Sequence, residues 1–208
     1  MRNSILLVCA GEINLAQLQK YAKLATYIIA VDHGYDYLDY INIKPNIIIG
    51  DLDSKKFNND TNIEIIKFDP VKDNTDTELA LRYALTLNPT SIYILGATGR
   101  RLDHFFANLN LLYTTLDKVP TYILDKNNRI YLISSFCKIE KEYKYFSVLP
   151  FTDRVKKLTI GNAKYPVSKI DLDKSTTLTI SNEAYDDCFV RIGEGVLIII
   201  ESDDEDVY

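Results

Sequence analysis

The sequence of 208 residues is poor in several residue types that would mark special kinds of fold. It contains no tryptophan, one methionine and only three cysteines. The cysteines Cys9, Cys137 and Cys188 are odd in number and far apart, and no two of them form a Cys-x-x-Cys pair. Neither a disulfide framework nor a zinc site is predicted, and reduced thiols are expected.

The sequence also lacks long apolar runs and an excess of basic residues. No segment reaches the ~18 apolar residues of a membrane-spanning helix, and the N-terminus has no signal-peptide pattern. The net charge is −5, so a basic face for non-specific nucleic-acid binding is not expected. Because 47% of the residues are hydrophobic, a sizeable core is expected. We predict a soluble, cytoplasmic protein that binds neither membranes nor nucleic acid.

A short apolar stretch followed by two acids is the most informative part of the sequence. The β-branched residues Ile47–Ile49 predict a strand that is buried on both faces, as in a parallel sheet. Gly50, Asp51 and Asp53 follow, where open α/β sheets bind their ligands. Two neighbouring carboxylates suit Mg²⁺. A surface turn has the same composition, so both interpretations stay open at this point.

The first half of the chain alternates between predicted strands and helices. Short apolar runs predict four further strands, at Ile5–Val8, Tyr27–Val31, Glu64–Phe68 and Ser91–Leu95. Leucines at near-helical spacing predict helices between the strands, and Thr75 and Glu78 have the spacing of a capping box. This alternation predicts a parallel sheet.

Charged residues follow two of these strands, and they are mostly acidic. Asp32 comes directly after Tyr27–Val31, and Lys72, Asp73 and Asp76 lie before the helix that begins near residue 76. Acids at a helix N-terminus also offset the helix dipole, which would account for one of them. Two acids and a lysine are more than a cap requires.

The loop after Ser91–Leu95 has the composition of an anion-binding loop. It contains Gly96 and Gly99, which allow backbone N–H groups to face an anion. Arg100 and Arg101 add donors that suit phosphate, and Asp103 is predicted to cap the next helix. Charged loops thus follow four strands of one predicted sheet. Together they predict a pocket for metal and phosphate. Mg²⁺-dependent transfer of a phosphoryl-type group is the expected chemistry.

Helical periodicity disappears after about residue 133, and short β segments separated by turn residues follow. They are predicted at Tyr145–Leu149, Val155–Ile160, Thr176–Ile180, Phe189–Ile192 and Val196–Ile200. Such spacing is typical of a sandwich or barrel. We therefore expect an α/β domain over residues 1–133 and an all-β domain over 134–208, which ends in an acidic tail.

The ordered set of motifs resembles the thiamin pyrophosphokinase family. The matching blocks are Asp32-x-Gly34, Gly50-Asp51-x-Asp53-Ser54, Lys72-Asp73-x-Thr75-Asp76, Gly96-Ala97-Thr98-Gly99-x-Arg101-x-Asp103-His104 and Ser181-Asn182-Glu183. The resemblance implies a Rossmann-like catalytic domain, a thiamin-binding β-sandwich domain, and transfer of pyrophosphate from ATP to thiamin. It also implies a homodimer with sites at the subunit interface. The sequence departs from the family pattern at His33, Leu52 and Arg100.

The resemblance assigns expected roles to individual residues. Mg²⁺ would be held by Asp51, Asp53 and Asp73. The catalytic set would be Asp51, Asp53, Asp73, Asp76, Arg101 and Asp103. ATP would be bound by Asp32, Lys72, Gly99, Arg100 and Arg101, and thiamin by Asp76, Ser181 and Asn182.

Two other functions stay open. A Mg²⁺-dependent phosphohydrolase of a nucleotide-like substrate would use the same acids with water as the nucleophile, but it would not explain the Ser-Asn block. A non-catalytic nucleotide- or thiamin-binding module would keep the fold and tolerate loss of the acids. All of the acids are present in this sequence.

Overall fold

The computed structural model describes residues 3–50, 63–66, 74–99 and 101–204. The chain divides into two compact units. The first comprises Met1–Thr114 and Val119–Lys126, and the second comprises Thr115–Lys118 and Asn127–Tyr208. None of the helices in the described ranges has the length and hydropathy needed to cross a membrane.

The first unit alternates strands and helices, as the sequence predicts. Its strands are β1 (Ser4–Val8), β2 (Tyr27–Val31), β3 (Ile47–Ile49), β4 (Glu64–Ile66), β5 (Ser91–Leu95) and β6 (Thr121–Leu124). Its helices are α1 (Leu15–Leu24), α2 (Gly34–Tyr40), α3 (Asp76–Thr86) and α4 (Leu102–Leu111), with a 3₁₀ turn at Leu112–Thr114. The strand order is β4-β3-β2-β1-β5-β6, and every neighbouring pair is parallel. The predicted parallel sheet is confirmed.

The central strands of this sheet are buried on both faces. Each residue of Ile47–Ile49 is 0% exposed, and all of Ser4–Val8 is buried. Burial on both faces is typical of a parallel sheet and explains why these strands are continuous apolar runs rather than alternating ones. From β1 the chain builds the sheet outward through β2, β3 and β4, and it then returns to add β5 on the other side.

Two helix N-termini test the predicted caps. Thr75 Oγ1 accepts a hydrogen bond from Glu78 N at 3.2 Å, so Thr75 caps α3 as its spacing predicts. The predicted cap of α4 at Asp103 is wrong. Arg101 occupies the N-cap position with an extended backbone, and Asp103 lies in the first turn, where its carboxylate pairs with the Arg101 guanidinium.

The described residues of the second unit contain only β strands and their connections. The strands are β7 (Asn128–Ile133), β8 (Phe136–Lys138), β9 (Tyr145–Pro150), β10 (Arg154–Ala163), β11 (Val167–Asp173), β12 (Ala184–Arg191) and β13 (Leu197–Ser202). All pairings are antiparallel: β13 lies between β7 and β9, β10 lies between β11 and β12, and β12 also pairs with β8. One hydrophobic core contains side chains from both groups of strands, including Phe146, Leu158, Val190 and Leu197. The all-β character of this half is confirmed.

One predicted strand of the second half is wrong. Residues Thr176–Ile180 form turns and irregular backbone instead of a strand. Thr176 N bonds back to Asp173 O at 3.0 Å, which closes a turn, and Ser181 adopts a left-handed φ of +55°. The threonines have high β propensity, but a turn at one end and a left-handed residue at the other prevent a continuous ladder.

A strand that the sequence does not predict, β11 (Val167–Asp173), lies just before this segment. Four of its residues are exposed, because it pairs with β10 alone at one edge of its sheet. The exposed residues are serine, lysine and aspartate, and they weaken the apolar signal from which strands are predicted.

Candidate active site

A cavity of about 490 Å³ lies at the carboxyl edge of the parallel sheet. The residues that follow β1, β2 and β5 line it, and side chains of α2, α3 and α4 contribute the remaining wall. β1 and β5 are neighbours from which the chain builds the sheet in opposite directions. The cavity therefore lies at the switch point of the sheet, where open α/β sheets bind ligands.

The loop after β1 packs directly against the loop after β5. Gly11 N donates to Gly96 O at 2.8 Å, and Glu12 N donates to Thr98 O at 3.3 Å. A Cβ atom on Gly11 would lie 2.2 Å from Thr98 O, so only glycine permits this approach. These contacts hold the glycine-containing loop of residues 96–99, of which residues 96–98 line the cavity.

Asp32 follows β2 and also lines the cavity. Its backbone has a left-handed φ of +49°, which aspartate adopts more readily than most residues. Asp32 N donates to Ile49 O at 3.0 Å. A Cβ atom added to Gly50 would lie only 2.0 Å from Asp32 Oδ1, so the two residues are in close contact. The Asp32 carboxylate is therefore beside the end of β3, the point from which the chain continues to Asp51.

Arg101 lines the cavity at the start of α4 and forms an ion pair with Asp103. Arg101 Nε donates to Asp103 Oδ1 at 3.0 Å, and Nη2 donates to Oδ2, so the pair is bidentate. The side chains are 70% and 62% exposed. Hydrogen bonds from Arg101 hold the pKa of Asp103 well below its usual range, and the carboxylate raises the pKa of Arg101. Both groups are thus charged at neutral pH.

Cys9 lines the cavity, although no motif in the sequence marks it as a site residue. It is 3% exposed, and its Sγ atom lies 3.7 Å from Thr77 Oγ1. Burial raises the pKa of this thiol to about 12; the hydrogen bond with Thr77 lowers it, and the charge of Asp32 raises it. Cys9 is therefore a neutral thiol at physiological pH and is not a nucleophile.

Asn108 on α4 is a second cavity residue that the sequence analysis does not identify. It is 8% exposed, and its Nδ2 atom donates to Ala97 O at 3.0 Å. The only sequence signal for this role is a polar residue directly before the apolar Leu109. That signal is weak, because helices often contain single buried asparagines for purely structural reasons.

Ser181 and Asn182 lie in the second unit, between β11 and β12. Asn182 is 2% exposed, and its Oδ1 atom accepts from Tyr165 N and Glu183 N at 2.9 Å each. Its Nδ2 atom donates to Tyr165 O at 2.8 Å. The Asn182 amide therefore holds the turn at Tyr165, whereas the neighbouring Ser181 has an exposed side chain.

The structure brings several of the predicted site residues of the first unit together. Asp32 and Arg101 line one cavity, and Asp103 pairs with Arg101. Gly99 belongs to the adjoining loop and has a φ of +132°. Asp76 is the first residue of α3, next to Thr77, which lines the cavity.

Five predicted site residues lie outside the described residues: Asp51, Asp53, Lys72, Asp73 and Arg100. Three of them are the predicted Mg²⁺ ligands. Within the part of the chain that the structure describes, no group of three or more His, Cys, Asp or Glu side chains is placed to hold a metal ion. The fit to Mg²⁺ rests on donor chemistry, since three carboxylates supply the oxygen ligands that this ion prefers.

Both halves of the chain match known protein families. The family described as thiamin pyrophosphokinase, catalytic domain, matches residues 18–124. The family described as thiamin pyrophosphokinase, vitamin B1 binding domain, matches residues 136–197. A curated relative, thiamine pyrophosphokinase of Bacillus subtilis (strain 168), is 34% identical over 212 residues, which cover 97% of this chain and 99% of the relative.

Solved structures give the same result. The crystal structure of thiamine pyrophosphokinase from Bacillus subtilis superposes with a TM-score of 0.89 at 33% identity, covering 97% of this chain and all of that one (100%). The crystal structure of thiamin pyrophosphokinase from Geobacillus thermodenitrificans gives a TM-score of 0.88 at 28% identity, covering 99% and 100%. The similarity thus extends over both units. The chain belongs to the thiamin pyrophosphokinase family.

Proposed function

We propose that this chain transfers the pyrophosphate group of ATP to the hydroxyl of thiamin, giving thiamin diphosphate and AMP. Family membership confirms the predicted enzyme class, a thiamin diphosphokinase. The observation that carries the proposed residue roles is the cavity at the switch point of the sheet, which Asp32, Arg101 and loop residues 96–98 line together. These groups combine a carboxylate, a guanidinium and a glycine-containing loop, which suits a nucleotide phosphate.

The proposed metal is Mg²⁺, and its proposed ligands are Asp51, Asp53 and Asp73. Bound there, the ion would neutralise charge on the phosphate oxygens during transfer. The supporting argument is chemical: a kinase-type transferase uses a divalent cation, and carboxylate oxygens favour Mg²⁺ over softer metals.

The proposed ATP contacts are Asp32, Lys72, Gly99, Arg100 and Arg101. Of these, Arg101 is the best defined, since it lines the cavity and its guanidinium already bonds to the Asp103 carboxylate. A phosphate can compete for the same fork of donors, because carboxylate and phosphate present paired oxygens in a similar way. Asp103 thus orients Arg101 before the nucleotide arrives and balances its charge.

The proposed thiamin contacts are Asp76, Ser181 and Asn182. Because the amide of Asn182 bonds to Tyr165 and Glu183, its contribution in this proposal is to hold Ser181 and the Tyr165 turn in position.

Catalysis is assigned to residues 1–133 and thiamin binding to 134–208. We further propose a cytoplasmic homodimer whose sites lie at the subunit interface. The finer fold assignment, Rossmann-like followed by a β-sandwich, is supported by the parallel strand order and by the single core of the β half.

One assay separates the proposed reaction from its two rivals. ATP consumption is followed with and without thiamin, and the adenine product is identified by chromatography. We expect AMP, formed only when thiamin is present and in equal amount to thiamin diphosphate. ADP or AMP released without thiamin would identify a phosphohydrolase. Binding of both compounds without turnover would identify a non-catalytic module.

A further inference from the structure

The starting observation is a buried asparagine on the helix that follows the glycine-containing loop. Asn108 is 8% exposed and lines the cavity, and its Nδ2 atom donates to Ala97 O at 3.0 Å. The bond joins the second turn of α4 to the loop of residues 96–99, eleven residues earlier in the chain. A buried amide that bonds to a backbone carbonyl fixes the direction of that peptide group.

Three consecutive carbonyls of this loop are bonded within the protein. Gly96 O accepts from Gly11 N, Ala97 O accepts from Asn108 Nδ2, and Thr98 O accepts from Glu12 N. Backbone groups hold the first and the third. The middle carbonyl is held by a side chain, so its bond is the one that a substitution can remove.

The orientation of the carbonyls determines that of the N–H groups. A peptide unit is planar and trans, so each N–H points away from the carbonyl of the residue before it. Fixing the carbonyls of residues 96, 97 and 98 therefore fixes the N–H groups of Ala97, Thr98 and Gly99. Within the described ranges of the chain, these three N–H groups donate to no acceptor. Ala97 and Thr98 both line the cavity.

We propose that Asn108 is a positioning residue for the nucleotide. It holds the Ala97 carbonyl away from the phosphate position, so that the following N–H groups are presented to the phosphate oxygens of ATP. Without this bond, the Ala97 peptide can rotate and direct a carbonyl oxygen at an anion, which weakens phosphate binding. The inference rests on the proposed function, in which this cavity binds ATP. We expect the loss to be specific to ATP, because the proposed thiamin contacts are Asp76, Ser181 and Asn182.

The test is the substitution Asn108→Leu, which keeps the size of the side chain and removes its donor. We expect the Michaelis constant for ATP to rise roughly tenfold, while that for thiamin changes by less than about twofold, because binding is lost for one substrate only. Titration calorimetry with ATP in the absence of thiamin should show the same loss of affinity without any turnover.

The matched control is Asn110→Leu, which changes the same residue type on an exposed position of the same helix. It should leave both Michaelis constants and ATP affinity unchanged. Asn108→Ala removes the same donor without adding methyl groups, and the same ATP-selective loss is expected of it if the leucine variant misfolds.

Two results would overturn the inference: unchanged ATP affinity in a folded Asn108 variant, or equal losses for ATP and thiamin. Failure of the proposed function is distinguishable from either, because the unmodified protein would then form no thiamin-dependent AMP.

Discussion

At the scale of single residues, the exposed pair of Arg101 and Asp103 is the best-defined charged group of the cavity. Arg101→Lys keeps the positive charge but removes the planar fork that Nε and Nη2 present. We expect kcat/KM for ATP to fall by about tenfold or more, because one charge-assisted hydrogen bond to phosphate is lost. Steady-state kinetics with ATP as the varied substrate measure the effect.

Arg82→Lys is the matched control for this substitution. Arg82 also donates two hydrogen bonds to a carboxylate, that of Glu78, but it lies on α3 and does not line the cavity. Its replacement should leave the kinetics unchanged. If both lysine variants behave like the parent, Arg101 is a surface charge and Arg100 becomes the better candidate.

The three cysteines give a second prediction at this scale. Burial raises the pKa of Cys9 and of Cys137 to about 12, and that of Cys188 to about 11. We expect iodoacetamide to label none of them appreciably in the folded protein at about pH 8, because the thiolate is the reactive form. In denaturant all three should react, and labelling is counted by mass spectrometry.

The same pKa values imply a loss of stability in alkaline solution. The ordinary thiol pKa is 9.0, so above that pH the unfolded chain releases protons that the folded chain still holds. The free energy of unfolding should therefore fall as the pH rises from about 9 towards 12. Rapid labelling of Cys9 at neutral pH, without unfolding, would contradict its burial.

Sequence reasoning identifies single site residues only where a pattern marks them. Asp32 and Arg101 were predicted because each follows a strand of a parallel sheet, and strand ends meet at one edge. Cys9 and Asn108 were not predicted. A cysteine at the end of an apolar run and an asparagine within a helix are both common at positions with no functional role. Their place at the cavity depends on how the helices pack on the sheet, which spacing in the sequence does not contain.

At the scale of secondary-structure elements, one buried ion pair links β7 and β13. Glu201 lies opposite Arg129 across the two strands and is 1% exposed. Arg129 Nη2 donates to Glu201 Oε1 at 2.9 Å, and Nε donates to Oε2. Burial raises the pKa of Glu201, and Arg129 opposes this rise. Each charge is therefore tolerated in the sheet because the other is present.

Removing one partner of this pair should be costly. Arg129→Met leaves Glu201 buried without its counter-charge, and we expect a loss of about 3–5 kcal/mol in the free energy of unfolding. Denaturant titration measures it. Arg154→Met is the control: this arginine is 59% exposed and pairs with exposed acids, so the loss should stay below about 1 kcal/mol. Adding Glu201→Met to Arg129→Met removes the unpaired charge and should recover part of the lost free energy of unfolding. If the double variant recovers none of it, lost packing rather than charge is responsible.

The segment between β11 and β12 depends on Asn182 in a similar way. Asn182→Ala leaves Tyr165 N, Tyr165 O and Glu183 N without their partner, at a cost of roughly 1–3 kcal/mol for each group that stays buried. We expect a lower midpoint of thermal unfolding. Ser181→Ala, at the exposed neighbouring position, should leave stability within about 0.5 kcal/mol of the parent. If Asn182→Ala is as stable as the parent, the Tyr165 turn does not need this amide.

Elements were predicted best where they are buried on both faces or have a strong cap. β3 has three isoleucines and no exposed residue, as its composition predicted for a strand buried on both faces. β11 lies at a sheet edge, and its exposed charged residues interrupt the apolar pattern from which a strand is predicted. Thr176–Ile180 shows the opposite error: its β-branched composition predicted a strand, but a turn at one end and the left-handed Ser181 at the other prevent one.

At the scale of the whole molecule, the proposed homodimer can be tested by complementation. Asp53→Asn removes a proposed metal ligand in the α/β half, and Ser181→Phe blocks the proposed thiamin site in the β half. If each site uses one half from each subunit, a mixed dimer has one site with both defects and one with neither. We expect mixing the two inactive variants, after subunit exchange, to restore activity.

Subunit exchange is verified by differently tagged chains that purify together, and each variant alone serves as the control. Mixed samples no more active than the two variants separately, despite verified exchange, would show that each site is built within one chain. A single-chain mass in light scattering would refute the dimer itself.

The two units alternate along the chain, so neither is synthesised as one uninterrupted stretch. Residues Thr115–Lys118 belong to the second unit but are made before Val119–Lys126, which complete the first. When the first unit is whole, about 80 residues of the second are still to be translated. At about 5–20 residues per second the ribosome needs roughly 4–16 s for them. Asp117, whose carboxylate accepts from Ser134 Oγ in the finished protein, is itself made 17 residues before that partner. A gene split at any single point therefore cannot encode both units intact.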